Sequence, residues 1–159
     1  MFEDTRQRMN LALESLMAAL DGLDGRLDDA AAPGEMTLRE QLSHLLGPAD
    51  RDLPALLRTF SAANPPLISP LPGGMPCLTP ERERMTLAAF AEALRQLHRR
   101  VQIELGTLPP AVLERRRARI PGWEAILGTD EVPLETFVLL ELETHWMEHA
   151  EAIDRLRRR

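Results

Sequence analysis

Two long stretches crowded with proline and glycine, residues 61–79 and 106–130, carry no helical or strand period, and they separate segments that do. Proline in a helix interior removes a donor and clashes with the preceding turn, so these stretches read as connections. The core must come from what remains, and what remains is helical. Residues 5–23 place Met9, Leu13, Leu16, Met17 and Leu20 on one face, ended by Gly22, Gly25 and Pro33-Gly34. A second segment opens at Thr37, where Thr37-Leu38-Arg39-Glu40 has the form of a capping box. Its stripe runs from Leu38 through Leu42, Leu45, Leu46 and Leu53 to Phe60, with Gly47-Pro48 and Pro54 expected to kink or divide it. A third helix is predicted to open at Thr79-Pro80 and to bury Leu87, Phe90, Leu94, Leu97, Val101 and Leu105. A fourth is predicted over 131–158, with Pro133 in its first turn. No internal repeat and no convincing strand is visible.

Four amphipathic helices must bury their stripes against one another. The expected fold is therefore all-α, a four-helix bundle with long crossover connections, formed as a single domain over residues 1–159. At 159 residues the chain is long enough for a real core, and with 44% hydrophobic and 28% charged residues it falls in the globular class. No apolar run approaches the roughly 18 residues of a spanning helix, and the acidic start Met1-Phe2-Glu3-Asp4 argues against a signal peptide, so the expected location is cytoplasmic, with no membrane partner. Cys77 is the only cysteine, which excludes an internal disulfide, and nothing near it marks a reactive thiol. The net charge of −6 speaks against nucleic acid as a partner, and the short runs Arg115-Arg116-Arg117 and Arg157-Arg158-Arg159 read as solvated surface, the second at the negative end of a helix.

The residues able to carry chemistry are few. His145 and His149 stand four apart on the fourth helix, so their imidazoles lie one above the other. With Val138, Leu142, Ala152 and Leu156 they repeat at steps of three and four, which turns the pair inward. Two imidazoles in an apolar stripe need partners. They are either core histidines bonded to backbone or side chains, or two ligands of one cation. Glu141, one turn before His145, is either a group that orients an imidazole or serves as a general base, or half of an ion pair with an arginine of a neighbouring helix. His98 lies on the apolar face between Leu94 and Val101 and reads as a core-edge residue.

The segment Thr37-Leu38-Arg39-Glu40-Gln41-Leu42-Ser43-His44-Leu45 resembles the second helix of the DinB-like (YfiT-like) metalloenzymes, in which a histidine flanked by leucines follows a capped helix start. That family also carries His-x-x-x-His on its last helix, matched here by His145 and His149, and the segment from Met85 to Leu105 resembles its third helix. The resemblance implies one divalent metal on His44, His145 and His149. One feature runs against it: His44 sits about 140° from the centre of the second stripe, facing outward on a plain wheel, unless Gly47-Pro48 re-aims the segment.

Three neutral imidazoles leave a cation an open position, the pattern of a catalytic site, and they suit zinc, nickel, iron or manganese without choosing among them. The resemblance implies a metal-dependent enzyme with a small-molecule substrate, either a hydrolase or an S-transferase using a low-molecular-weight thiol such as bacillithiol or mycothiol, and a homodimer. The competing expectation is a non-catalytic helical interaction or stress-response module without a working metal site. A pocket beside the histidines separates the two, because a module would show a filled core and an exposed apolar patch.

Overall fold

The structure, a computed structural model, describes residues 2–159. Helix α1 (Phe2–Leu20) buries Met9, Ala12, Leu16 and Leu20 and stops just before Gly22, whose φ of 74° begins a run of turns. The second segment is divided, as the glycine and prolines require. Helix α2 (Leu38–Leu46) closes at Gly47, which at φ 75° donates its N–H to the His44 carbonyl. Helix α3 (Leu53–Thr59) starts afresh on Asp52, whose side chain accepts from the Ala55 N–H.

The start of α2 is a complete capping box. Thr37 Oγ1 accepts from the Glu40 N–H at 3.2 Å, and Glu40 Oε2 accepts from the Thr37 N–H at 2.7 Å. Thr37→Ala is expected to lower stability by about 1 kcal/mol in urea denaturation, the usual worth of an N-cap oxygen.

The third helix opens later than Thr79-Pro80. That pair starts only a 3-10 turn at Arg82–Arg84, with Thr79 Oγ1 accepting from the Arg82 N–H. Met85 is extended, and Thr86 is the true cap of α4 (Leu87–Gly106), its side chain accepting from the Ala89 N–H. Thr86 has no proline after it and stands directly before the apolar period, so it competes better for the helix start.

The second connection holds two short helices, α5 (Pro110–Arg115) and α6 (Glu124–Leu127), and a feature the apolar pattern did not reveal. Strands β1 (Arg117–Arg119) and β2 (Glu131–Pro133) pair antiparallel, with Ala118 opposite Val132, both fully buried. Three-residue strands are too short to display a period of two. Their effect reaches far, because the Arg119 carbonyl accepts from the Ile68 N–H at 2.8 Å and the Arg119 N–H donates to the Pro66 carbonyl at 2.8 Å. The first crossover is thereby pinned to the second.

The last helix begins at Leu134, after Pro133, and is interrupted. Helix α7 (Leu134–Leu139) passes through a π turn (Leu140–Thr144) into α8 (His145–Arg157). A π turn widens the helix by one residue and retards its rotation. Past it the core stripe continues through Trp146, Ala150 and Ile153 rather than through His145 and His149. The histidine pair is therefore displaced to the flank of the stripe, half-buried, where α8 faces α2. Helix α1 packs along α8 and α4, while α2 packs on α4 and α8, completing a four-helix bundle. Arg157 and Arg158 both pair with Asp154 at the helix end. Among the described residues no helix is long and apolar enough to cross a membrane.

Candidate metal centre

His44, His145 and His149 converge, with one ring nitrogen of each within 4.8 Å of the others. His44 is buried, contrary to its outward position on a plain wheel. Nearly every face of α2 is covered, Gln41, Ser43 and His44 included, because the pinned crossover folds over the side that the other helices leave open. Ser43 Oγ donates to the Cys77 carbonyl at 2.9 Å. The Arg82 guanidinium donates to the same carbonyl at 2.9 Å and to the Gly47 carbonyl at 2.5 Å. Cys77 holds φ 56°, uncommon for a residue with a side chain, and these bonds to its carbonyl keep it there. Burial pushes the Cys77 thiol up, away from the reactive thiolate.

Two residues upstream, the Met75 carbonyl accepts from His44 Nδ1 at 2.6 Å. Gln41 Oε1 accepts from His149 Nδ1 at 3.1 Å. The His145 ring bonds to the backbone of Glu141, a bond that falls to Nδ1 because its Nε2 faces His44. Each imidazole thus has its Nδ1 proton committed, which leaves the three Nε2 lone pairs directed at one another. His44 Nε2 and His145 Nε2 stand 2.9 Å apart. Lone pair against lone pair is repulsive unless a proton or a cation lies between.

A proton is disfavoured there. Burial first, and then the neighbouring His44 ring, lower the pKa of His145; burial followed by His145 and His44 takes His149 down to about 3. A cation satisfies the same lone pairs with neutral rings, so the donor set fits a divalent metal of the kind imidazoles bind. The depressed pKa also has a consequence for the metal-free protein. Unfolded, His149 takes a proton near its usual 6.5, whereas folded it resists one down to about 3. The stability it contributes is fully present above about pH 6.5 and is lost as the pH falls toward 3. In chelator, the urea midpoint is therefore expected to drop between those limits, and His149→Gln should flatten the drop.

Glu141 is an ion pair. Arg51, in the loop between α2 and α3, places Nη2 on Oε1 at 3.0 Å and Nη1 on Oε2 at 3.2 Å, with both side chains mostly buried. Both carboxylate oxygens are thereby engaged. Glu148, by contrast, is exposed and has no hydrogen bond or ion pair among the described residues. The two carboxylates line one pocket of about 330 Å³ with His44, His145, Leu140 and Trp123. Glu148 escaped the sequence reasoning, although a signal was there: His145-Trp146-Met147-Glu148-His149 reads His-x-x-Glu-His, the inverse of the His-Glu-x-x-His helix motif whose glutamate serves as base. Gln41 and Met75 were also missed, the first for want of any period and the second because a loop carbonyl has no sequence signature.

Against solved structures, the chain aligns over 99% of its length with 86% of YfiT from Bacillus subtilis, at a TM-score of 0.69 and 17% identity. The fold is that of YfiT. That protein is described as a probable metal-dependent hydrolase with an unusual four-helix bundle topology. An uncharacterized protein from Clostridium difficile 630 matches over 99% of this chain and 95% of its own, with a TM-score of 0.68 and 12% identity. No family model and no curated protein sequence matches the chain.

Within this YfiT-like bundle the fourth histidine stands apart. His98 is buried on α4, its ring centroid 6.2 Å from that of Trp146, and its Nε2 has no partner among the described residues. Burial lowers its pKa despite a hydrogen bond to the Met9 backbone. It packs in the core away from the cluster.

Proposed function

We propose that the chain is a divalent-metal-dependent hydrolase of a small-molecule substrate, with His44, His145 and His149 as the metal ligands and Glu148 as the general base. The observation that carries this reading is the set of three Nε2 lone pairs, each ring oriented by a bond at Nδ1, meeting beside an open pocket that holds one unengaged carboxylate. A divalent cation on three neutral imidazoles keeps its double positive charge and an open position, and it supplies Lewis-acid polarisation of the group bound there. The description of YfiT as a probable metal-dependent hydrolase supports the same reaction class.

The chain's own groups divide the remaining work. Glu148 accepts a proton from the attacking water within the pocket and returns it to the leaving group. Glu141 cannot do this while Arg51 holds both its oxygens; it fixes the turn of helix whose backbone orients His145. Met75 and Gln41 keep His44 and His149 in the tautomer that offers Nε2.

The test is metal analysis of protein purified without chelator or a histidine tag, followed by assay of ester and amide substrates and by cobalt substitution. Stoichiometric metal and metal-dependent hydrolysis are expected. A thiolate charge-transfer band on adding bacillithiol, mycothiol or a simpler thiol, with no hydrolysis, would replace the hydrolase by a thiol S-transferase. Absence of both metal and turnover would leave a non-catalytic module.

A further inference from the structure

A second cavity, larger than the pocket lined by His44 and His145, lies beside the metal centre. A groove of about 700 Å³ runs between the first crossover and the α2–α3 segment. Its walls are mostly apolar, with Ala55 and Leu56 from α3 and Leu67, Ile68, Leu71 and Met75 from the crossover. Leu67 and Met75 are 71% and 43% exposed at its edge, large apolar side chains left in water.

Three residues join this groove to the metal centre. Leu71 belongs to the walls of both the groove and the pocket over the histidines. Met75 lines the groove with its side chain while its carbonyl holds His44 Nδ1. Arg51 lines the groove and holds Glu141 on the pocket wall.

The charges on the walls limit what can lie there. Among the described residues Arg51 is the only cation lining the groove, and both its terminal nitrogens are spent on Glu141. Asp52 is paired with Arg100, and Asp50 has no partner among the described residues. A carboxylate or phosphate entering the groove would lose water and meet uncompensated acid instead of a donor. A neutral hydrocarbon chain would gain from every methylene it buries.

Building on the hydrolase reading, we infer that the substrate is a neutral ester or amide with an extended apolar acyl or alkyl body, which lies in this groove and delivers its scissile carbonyl past Leu71 to the histidines. The volume suits a chain of that kind, since ligand pockets of roughly 300–1,000 Å³ hold molecules of drug size.

Two experiments separate this inference from the reading it rests on. The first needs neither metal nor turnover. In chelator, the full chain should bind the neutral dye Nile red, and 1-octanol should displace it at least about 10-fold more effectively than octanoate. Ala55→Trp, which fills the groove from α3, should abolish dye binding; Thr59→Trp, from an exposed position on the same wall, serves if the first variant does not fold. No dye binding, binding that both variants leave intact, or equal displacement by octanoate overturns the inference, whatever the enzyme hydrolyses. The second experiment follows metal-loaded protein on p-nitrophenyl esters from acetate to octanoate. KM should fall by up to roughly 4-fold per added methylene, the worth of a buried CH₂, and groove-filling variants should lose that dependence. A flat series in the wild type overturns the inference. Dye binding without hydrolysis of any ester would instead remove the hydrolase reading and leave the groove an apolar binding site.

Discussion

His149→Ala is expected to abolish the thermal response to metal. A ligand bound only by the folded chain stabilises it by RT ln(1 + [L]/Kd), about 4 kcal/mol at a thousandfold excess over Kd. For a chain of this size that shifts the melting temperature by on the order of 10 °C. Chelation should remove the shift in the wild type, and re-addition of the native metal should restore it. Two ligands from different helices cannot hold the cation as three do, so the variant should melt at one temperature with or without metal. His98→Ala is the control that decides the assignment. His98 is buried beside Trp146 and away from the cluster, so its loss should lower the melting temperature of both forms while the metal-dependent difference persists. Identical behaviour of the two variants would defeat the division of the histidines.

Glu148→Gln is expected to lower turnover by about 10²–10⁴-fold while leaving metal content unchanged, the loss typical of a missing general base. The exposed position of Glu148 means that the folded structure should not suffer. Glu141→Gln should show the opposite pattern. It breaks an ion pair whose members are 17% and 10% exposed, so a stability loss of about 1–3 kcal/mol is expected, with turnover falling far less. Urea denaturation and kcat on one substrate, measured for both variants, check the pair of outcomes. A large kcat loss in Glu141→Gln with none in Glu148→Gln would reverse their roles.

The fold could be read from the chain wherever a residue's fate depends on near neighbours. Thr37 and Glu40 form their capping box within four residues, and the division at Gly47-Pro48 and Pro54 is a local backbone constraint. What stayed hidden depended on distant partners. His44 looked exposed because a helical wheel knows nothing of a crossover residue 31 positions away, and the Met75 carbonyl that orients it leaves no mark in the sequence. The strands Arg117–Arg119 and Glu131–Pro133 are too short for a period, although they anchor that crossover. The register of the last helix misled for another reason. A wheel advances 100° at every residue, and the π turn breaks that rule between Leu140 and Thr144. The cluster as a group was nonetheless within reach, since four-residue spacing brings His145 and His149 together on either side of that shift.

The π turn also couples two demands that a regular helix would set against each other. An uninterrupted α-helix could point either Trp146 or His145 into the bundle axis, and whichever was chosen would carry the residues a turn later with it. One surplus residue at Leu140–Thr144 lets the tryptophan take the axis while the imidazoles swing round to α2. Inserting a further residue into that turn would therefore be more damaging than most substitutions near the histidines. It would rotate everything downstream by about 100°, drive imidazoles among the core side chains and push an indole toward water. Insertions here are bound to phase, whereas loss of one residue would close the π turn into regular helix with the downstream register kept, so in a lineage of such bundles this segment should not lengthen even where its side chains drift.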